Sequence, residues 1–83
     1  MTPANDTGKE ALPATPPLAA ARSVHRLLTE ARDQMLDAEG AAAAGGLTHM
    51  SEWVRLRIED VESYLLADVR FAVEALEAEA RRR

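Results

Sequence analysis

Residues 48–83, THMSEWVRLRIEDVESYLLADVRFAVEALEAEARRR, decide the fold of this chain. Apolar side chains recur along this stretch at steps of three and four residues, the spacing that predicts one face of an α-helix. The steps combine into an eleven-residue repeat, so the apolar stripe should run nearly straight along the helix and not wind as a long left-handed supercoil. This main stripe consists of Val54, Ile58, Val61, Leu65, Val69, Ala72, Leu76 and Ala80.

A second helix is predicted upstream, over residues 17–44. The alanines that follow Gly40 favour continued helix, whereas the glycine pair after them is a stronger stop. We therefore expect a turn over residues 45–47 and a long helix over residues 48–81. The apolar stripe of the first helix has heptad spacing, widened on one side by Leu27. Its members are Ala21, Val24, Leu28, Ala31, Met35, Ala38 and Ala42.

The two helices should pack antiparallel because a short turn joins them. Folding about the glycine pair places Leu28 near Ser63 and leaves the last turns of the long helix, with Leu76 and Ala80, beyond the first helix. The fold class predicted is all-α, an antiparallel two-helix hairpin. Its predicted core consists of Val24, Leu28, Ala31, Met35, Val54, Ile58, Val61, Leu65, Val69 and Ala72.

The long helix has apolar side chains on more than one side. At about 100° per residue, all three aromatic side chains fall on one flank of the main stripe, where the first helix cannot reach them. A hairpin of this size rarely gains more than ~3–5 kcal/mol from its own core. We therefore expect a homodimer that forms a four-helix bundle around the long helices. Its predicted interface, which a different partner protein could also use, is Met50, Trp53, Tyr64, Asp68, Phe71, Ala75 and Leu76.

Residues 1–16 predict a disordered tail. They contain three of the four prolines and only one sizeable apolar side chain after the initial methionine, Leu12. Such a segment cannot bury enough apolar surface to offset the entropy lost on ordering. A basic start and an apolar core segment are both missing, which argues against a signal peptide. No run approaches the roughly 18 apolar residues that a membrane span needs.

The sequence offers no catalytic or metal-binding constellation, and we expect no cofactor. The chain has no cysteine, and its only histidines are His25 and His49. A di-metal site in a helical bundle uses Glu-x-x-His pairs, and neither histidine has a glutamate three residues before it. His49 and Glu52 share a helical face, but a solvated first helical turn explains them better than a pair of metal ligands does.

The function predicted is that of a small non-enzymatic protein–protein interaction module, an adaptor, regulator or inhibitor that acts as a homodimer. The alternative is a hairpin dimer that binds nucleic acid, which the formal net charge of −4 disfavours. We expect a cytoplasmic protein, and the excess of arginine over lysine favours a bacterial or phage origin. The nucleic-acid alternative would use Arg22, Arg26, Arg55, Arg57, Arg70 and the terminal arginines.

Overall fold

The computed structural model describes residues 15–82, which form an antiparallel helical hairpin. Helix accounts for 91% of the described residues, and they include no strand. The first helix, α1, is Pro17–Ala44. The long helix consists of α2 (Thr48–Asp60), a π-helical turn (Val61–Leu65) and α3 (Leu66–Arg81). The prediction of an all-helical, two-helix chain is confirmed, while the predicted tail lies almost wholly outside the described residues.

The turn between the helices is closed by backbone hydrogen bonds. The N–H of Leu47 donates to the carbonyl of Ala42 at 2.9 Å, and the N–H of Gly46 donates to that of Ala43 at 3.1 Å. Gly46 has φ of 74°, the left-handed conformation that glycine adopts without steric cost. These features together form a Schellman motif, which satisfies carbonyls that the end of α1 would otherwise leave unpaired.

The π-helical turn shifts the phase of the long helix by one residue. The N–H of Leu66 donates to the carbonyl of Val61, five residues earlier, in place of the usual four. Downstream of this turn, Leu66 and Val73 therefore point toward α1, whereas Leu65 is 44% exposed and Ala72 is exposed. This corrects the predicted core. Val73 is larger than Ala72, and burying each additional carbon is worth about 0.8 kcal/mol, which favours the shifted phase.

The face of α1 that packs on the long helix also differs from the predicted one. Val24 is 47% exposed and Ala31 is exposed, although both were expected in the core. Their places toward the long helix are taken by His25 and Arg32, which are half-buried. The inward row of α1 keeps one of the two predicted positions in each heptad and replaces the other with the residue that follows it. It consists of Leu18, Ala21, His25, Leu28, Arg32, Met35, Glu39 and Ala42.

Three ion pairs between the two helices show how they are aligned. Arg32 pairs with Glu62, Glu39 with Arg55, and Arg22 with Glu77. In an antiparallel hairpin, residues that face each other have residue numbers with a nearly constant sum. This sum is 94, 94 and 99 for the three ion pairs, whereas folding about the glycine pair predicts about 91.

The end of the long helix consequently lies against the start of α1. Leu76 and Ala80 line one depression together with Pro17 and Leu18. The predicted overhang of Leu76 and Ala80 beyond α1 is therefore wrong.

The core of the hairpin is small. Among the described residues, only Ala42 and Ile58 are buried, at 6% and 4% exposure. The other predicted core residues that point inward are half-buried, because two helices alone cannot enclose a side chain on all sides. These half-buried residues are Leu28, Met35, Val54, Val61 and Val69.

Candidate interaction surfaces

Charged side chains join the two helices along one long side of the hairpin, which we call the ion-paired side. The nitrogen–oxygen distances are 2.9 Å for Arg22–Glu77, 3.1 Å for Arg32–Glu62 and 2.6 Å for Arg55–Glu39. Helical positions computed at about 100° per residue place all three pairs on the same side of the plane that contains the two helix axes. Their Coulomb energies are modest, since exposed pairs contribute about 0–1 kcal/mol each.

Arg32 is the best-connected residue on the ion-paired side. Its guanidinium donates hydrogen bonds to Glu62 of the long helix and to its neighbour Asp33, both at 3.1 Å. The bond to Glu62 is the main reason that the pKa of Arg32 is raised above its ordinary value. Arg32 is charged throughout the physiological pH range. Its charge in the contact with Glu62 therefore does not change with pH in that range.

The aromatic side chains are highly exposed, but they do not form the single line that the sequence predicts. Trp53 is 63%, Tyr64 69% and Phe71 74% exposed. Because the π-helical turn rotates everything after it, Phe71 lines a groove on the ion-paired side together with Arg32 and Glu74. Trp53 instead lines two shallow depressions nearer the interhelical turn.

The remaining predicted interface residues fall into two groups. Met50 is 48% exposed, and Asp68 and Ala75 are also exposed, so these three are accessible to a partner. Leu76 is half-buried against the start of α1. Arg57 contacts Asp60 on the same helix, at 3.2 Å.

The side of the hairpin opposite the ion-paired side carries a mostly apolar row on α1, interrupted by Gln34, that was not distinguished from the predicted core stripe. We call this row the outer seam. Val24 and Leu27 are 47% and 55% exposed within it, and it has no charged member. One feature of the sequence indicated the outer seam: Leu27 lies beside the predicted stripe and not within it. The outer seam consists of Ala20, Val24, Leu27, Ala31, Gln34, Ala38 and Ala41.

The described residues do not assemble a reactive or metal-binding cluster. His49 Nδ1 lies 3.5 Å from Glu52 Oε1, and both side chains are mostly in solvent. In residues 15–82, no group of three or more histidine, aspartate or glutamate side chains is placed to hold a metal ion. Within the same range, each helix is too polar or too short to cross a membrane.

Four of the eight arginines of the predicted nucleic-acid surface are paired with carboxylates. Arg22 and Arg55 contact glutamates of the opposite helix, and Arg26 contacts Glu30 at 3.4 Å within α1. Phosphate binding would have to replace these contacts, and no observation favours it. Comparison of the chain with protein-family models, curated proteins and solved structures gave no match.

Proposed function

We propose that this protein is a small non-enzymatic interaction module that works as a homodimer and presents its exposed aromatic side chains to another protein. Its role would be that of an adaptor, regulator or inhibitor, because it acts by occupying a partner's surface. The dimer would supply the enclosed core that a single hairpin lacks. The aromatic residues would supply the recognition.

The observation that supports this proposal is the imbalance between buried and exposed apolar side chains. Two residues of the described chain are buried, and one of them is an alanine. A single core rarely supplies more than about 3–5 kcal/mol in a chain of this size, and oligomerisation is one of the usual ways in which small folds gain the missing stability. The large apolar side chains that are at least 43% exposed are Val24, Leu27, Leu36, Leu47, Met50, Trp53, Leu56, Tyr64, Leu65 and Phe71.

The aromatic residues suit recognition of a second protein for a separate reason. Trp and Tyr are enriched among the few interface residues that dominate binding free energy. Trp53 and Tyr64 both lie on the long helix, whose backbone is already ordered, so binding would cost little additional backbone entropy.

Light scattering and thermal melts test the homodimer. We expect about twice the 9.0 kDa chain mass at micromolar concentration, and a melting midpoint that rises with protein concentration as mass action requires. A 9.0 kDa species whose melting midpoint does not depend on concentration would refute the dimer.

Affinity capture with the wild-type protein and with a Trp53→Ala, Tyr64→Ala double variant tests the recognition surface. Both proteins should have the same helical circular dichroism. A partner should be recovered by the wild type and lost with the double variant, whereas equal recovery by both would contradict a role for these aromatics.

A further inference from the structure

We infer that the outer seam of α1 is the surface that binds a second copy of this chain, with the two α1 helices antiparallel across a two-fold axis that passes near Ala31. The inference rests on the proposed homodimer and specifies its geometry. It places the α1 helices against each other and leaves Tyr64 and Phe71 on the outside of the dimer.

The spacing of the outer seam specifies a helical partner. Its members follow one another at steps of four and three residues from Ala20 to Ala41, three heptads in all. A heptad row is the pattern that a helix presents to another helix lying nearly parallel or antiparallel to it. The inward row of α1 has the same spacing and meets the long helix. Every member of the outer seam except half-buried Ala20 is exposed in the hairpin, although the row has the form of a packing surface.

The distribution of large and small residues along the outer seam selects a second copy in the antiparallel direction. The larger apolar side chains, Val24 and Leu27, occupy its N-terminal half, whereas its C-terminal half contains Ala38 and Ala41. An antiparallel two-fold axis near Ala31 places Val24 of one copy opposite Ala38 of the other. Val24 then meets a small side chain, which is how close-packed interfaces fill their volume, while Leu27 lies beside Gln34 of the other copy. A parallel pairing would place large against large at one end and leave gaps at the other.

The long helix supports the same axis. The ion-pair alignment places residues 63–68 opposite Ala31, so exposed Leu65 lies near the proposed two-fold axis and would meet Leu65 of the second copy. Arg57 and Asp68 lie on the same flank as Leu65 and on opposite sides of it along the chain. The axis therefore brings Arg57 of one copy, which contacts Asp60 of its own chain, within five residues, about 7.5 Å along the helix, of the level of Asp68 in the other. These charges are complementary in this arrangement.

The available area is sufficient for a stable dimer. The 28 residues of α1 span about 42 Å at 1.5 Å per residue. Two helices packed ~8–10 Å apart form a face about 18 Å wide, giving roughly 750 Å² on each copy. Stable interfaces bury about 800 Å² per partner, so a face-to-face pair of hairpins reaches the usual size.

Single-cysteine cross-linking of the full chain tests this geometry, because the natural sequence contains no cysteine to interfere. A disulfide forms only when the two Cα atoms lie within about 7 Å, so the reaction reports position. Ala31→Cys, on the axis, should convert most of the protein to a covalent dimer under mild oxidation. Val24→Cys mixed with Ala38→Cys should form a mixed disulfide at least about ten-fold faster than Val24→Cys alone. Ser23→Cys, on the back of α1, and Phe71→Cys serve as controls.

The possible outcomes separate the geometry from the dimer itself. Cross-linking of Phe71→Cys in preference to Ala31→Cys would overturn the outer-seam interface while leaving a dimer in place. So would a light-scattering dimer in which Ala31→Cys does not react. Efficient self-linking of Val24→Cys would overturn the antiparallel direction. A light-scattering mass of 9.0 kDa with no cross-linking would refute the homodimer and the interface together.

Discussion

Gly46 and Gly40 make different demands on the backbone, although each has open space around the position where a side chain would begin. Gly46 has φ of 74°, and a residue with a Cβ pays about 1–2 kcal/mol in that conformation. Gly40 lies inside α1, where glycine costs roughly 0.5–1 kcal/mol relative to alanine. Gly46→Ala should therefore lower the urea midpoint and Gly40→Ala should raise it. Changes of the same sign would contradict the assigned turn geometry.

Ile58 is the large side chain that the described hairpin buries most completely. Ile58→Ala should destabilise the protein by about 2–5 kcal/mol, the range found for buried aliphatic residues. Leu56 is 57% exposed on the opposite side of α2, and Leu56→Ala should change stability by about 0.5 kcal/mol or less. Urea unfolding at one fixed protein concentration measures both variants. Equal losses would show that the faces of α2 are assigned wrongly.

The π-helical turn makes a prediction about the length of the long helix. Deleting Ser63, an exposed residue inside the turn, removes one residue and allows a continuous α-helix. Ile58 and Leu66 would still face α1, because the π-helical turn already offsets them by one additional residue. The deletion should therefore preserve helicity and lower the thermal midpoint little, if at all. Inserting one alanine after Ser63 is the matched control and should lower the midpoint substantially, because it rotates α3 by about 100°.

The existence and the ends of the helices could be predicted from the sequence, because they depend on local signals. The glycine pair ends α1 at Ala44, and the apolar spacing requires a long second helix. The faces within these helices depend on interactions between them. In the structure α1 is rotated so that Arg32 faces Glu62 and part of its apolar stripe faces away from the long helix, and the π-helical turn exchanges Leu65 for Leu66. Helical periodicity does not signal an i to i+5 hydrogen bond, so the predicted core and the line of aromatics were both displaced.

For the whole molecule, the two candidate surfaces should respond differently to an introduced charge. Leu27→Glu places a carboxylate in the outer seam and should weaken the dimer by at least about ten-fold in dissociation constant, since burying an unpaired charge is costly. Phe71→Glu alters an outward-facing residue that is 74% exposed and should leave the dissociation constant nearly unchanged. Sedimentation over a range of concentrations measures both constants. If Phe71→Glu dissociated the dimer and Leu27→Glu did not, the dimer interface would have to be formed by the aromatic residues.

The order of charges on the ion-paired side has a further consequence, which concerns misaligned hairpins. A slip of one heptad in one direction would bring Arg32 opposite Arg55. The same slip in the other direction would bring Glu39 opposite Glu62. Either mistake juxtaposes like charges, whereas the native alignment juxtaposes opposite ones. Alanine-rich helices have few large side chains that interlock, so apolar packing alone distinguishes poorly between shifted alignments. The ion pairs are individually weak. Together they favour the native alignment over the two alignments that are shifted by one heptad in either direction.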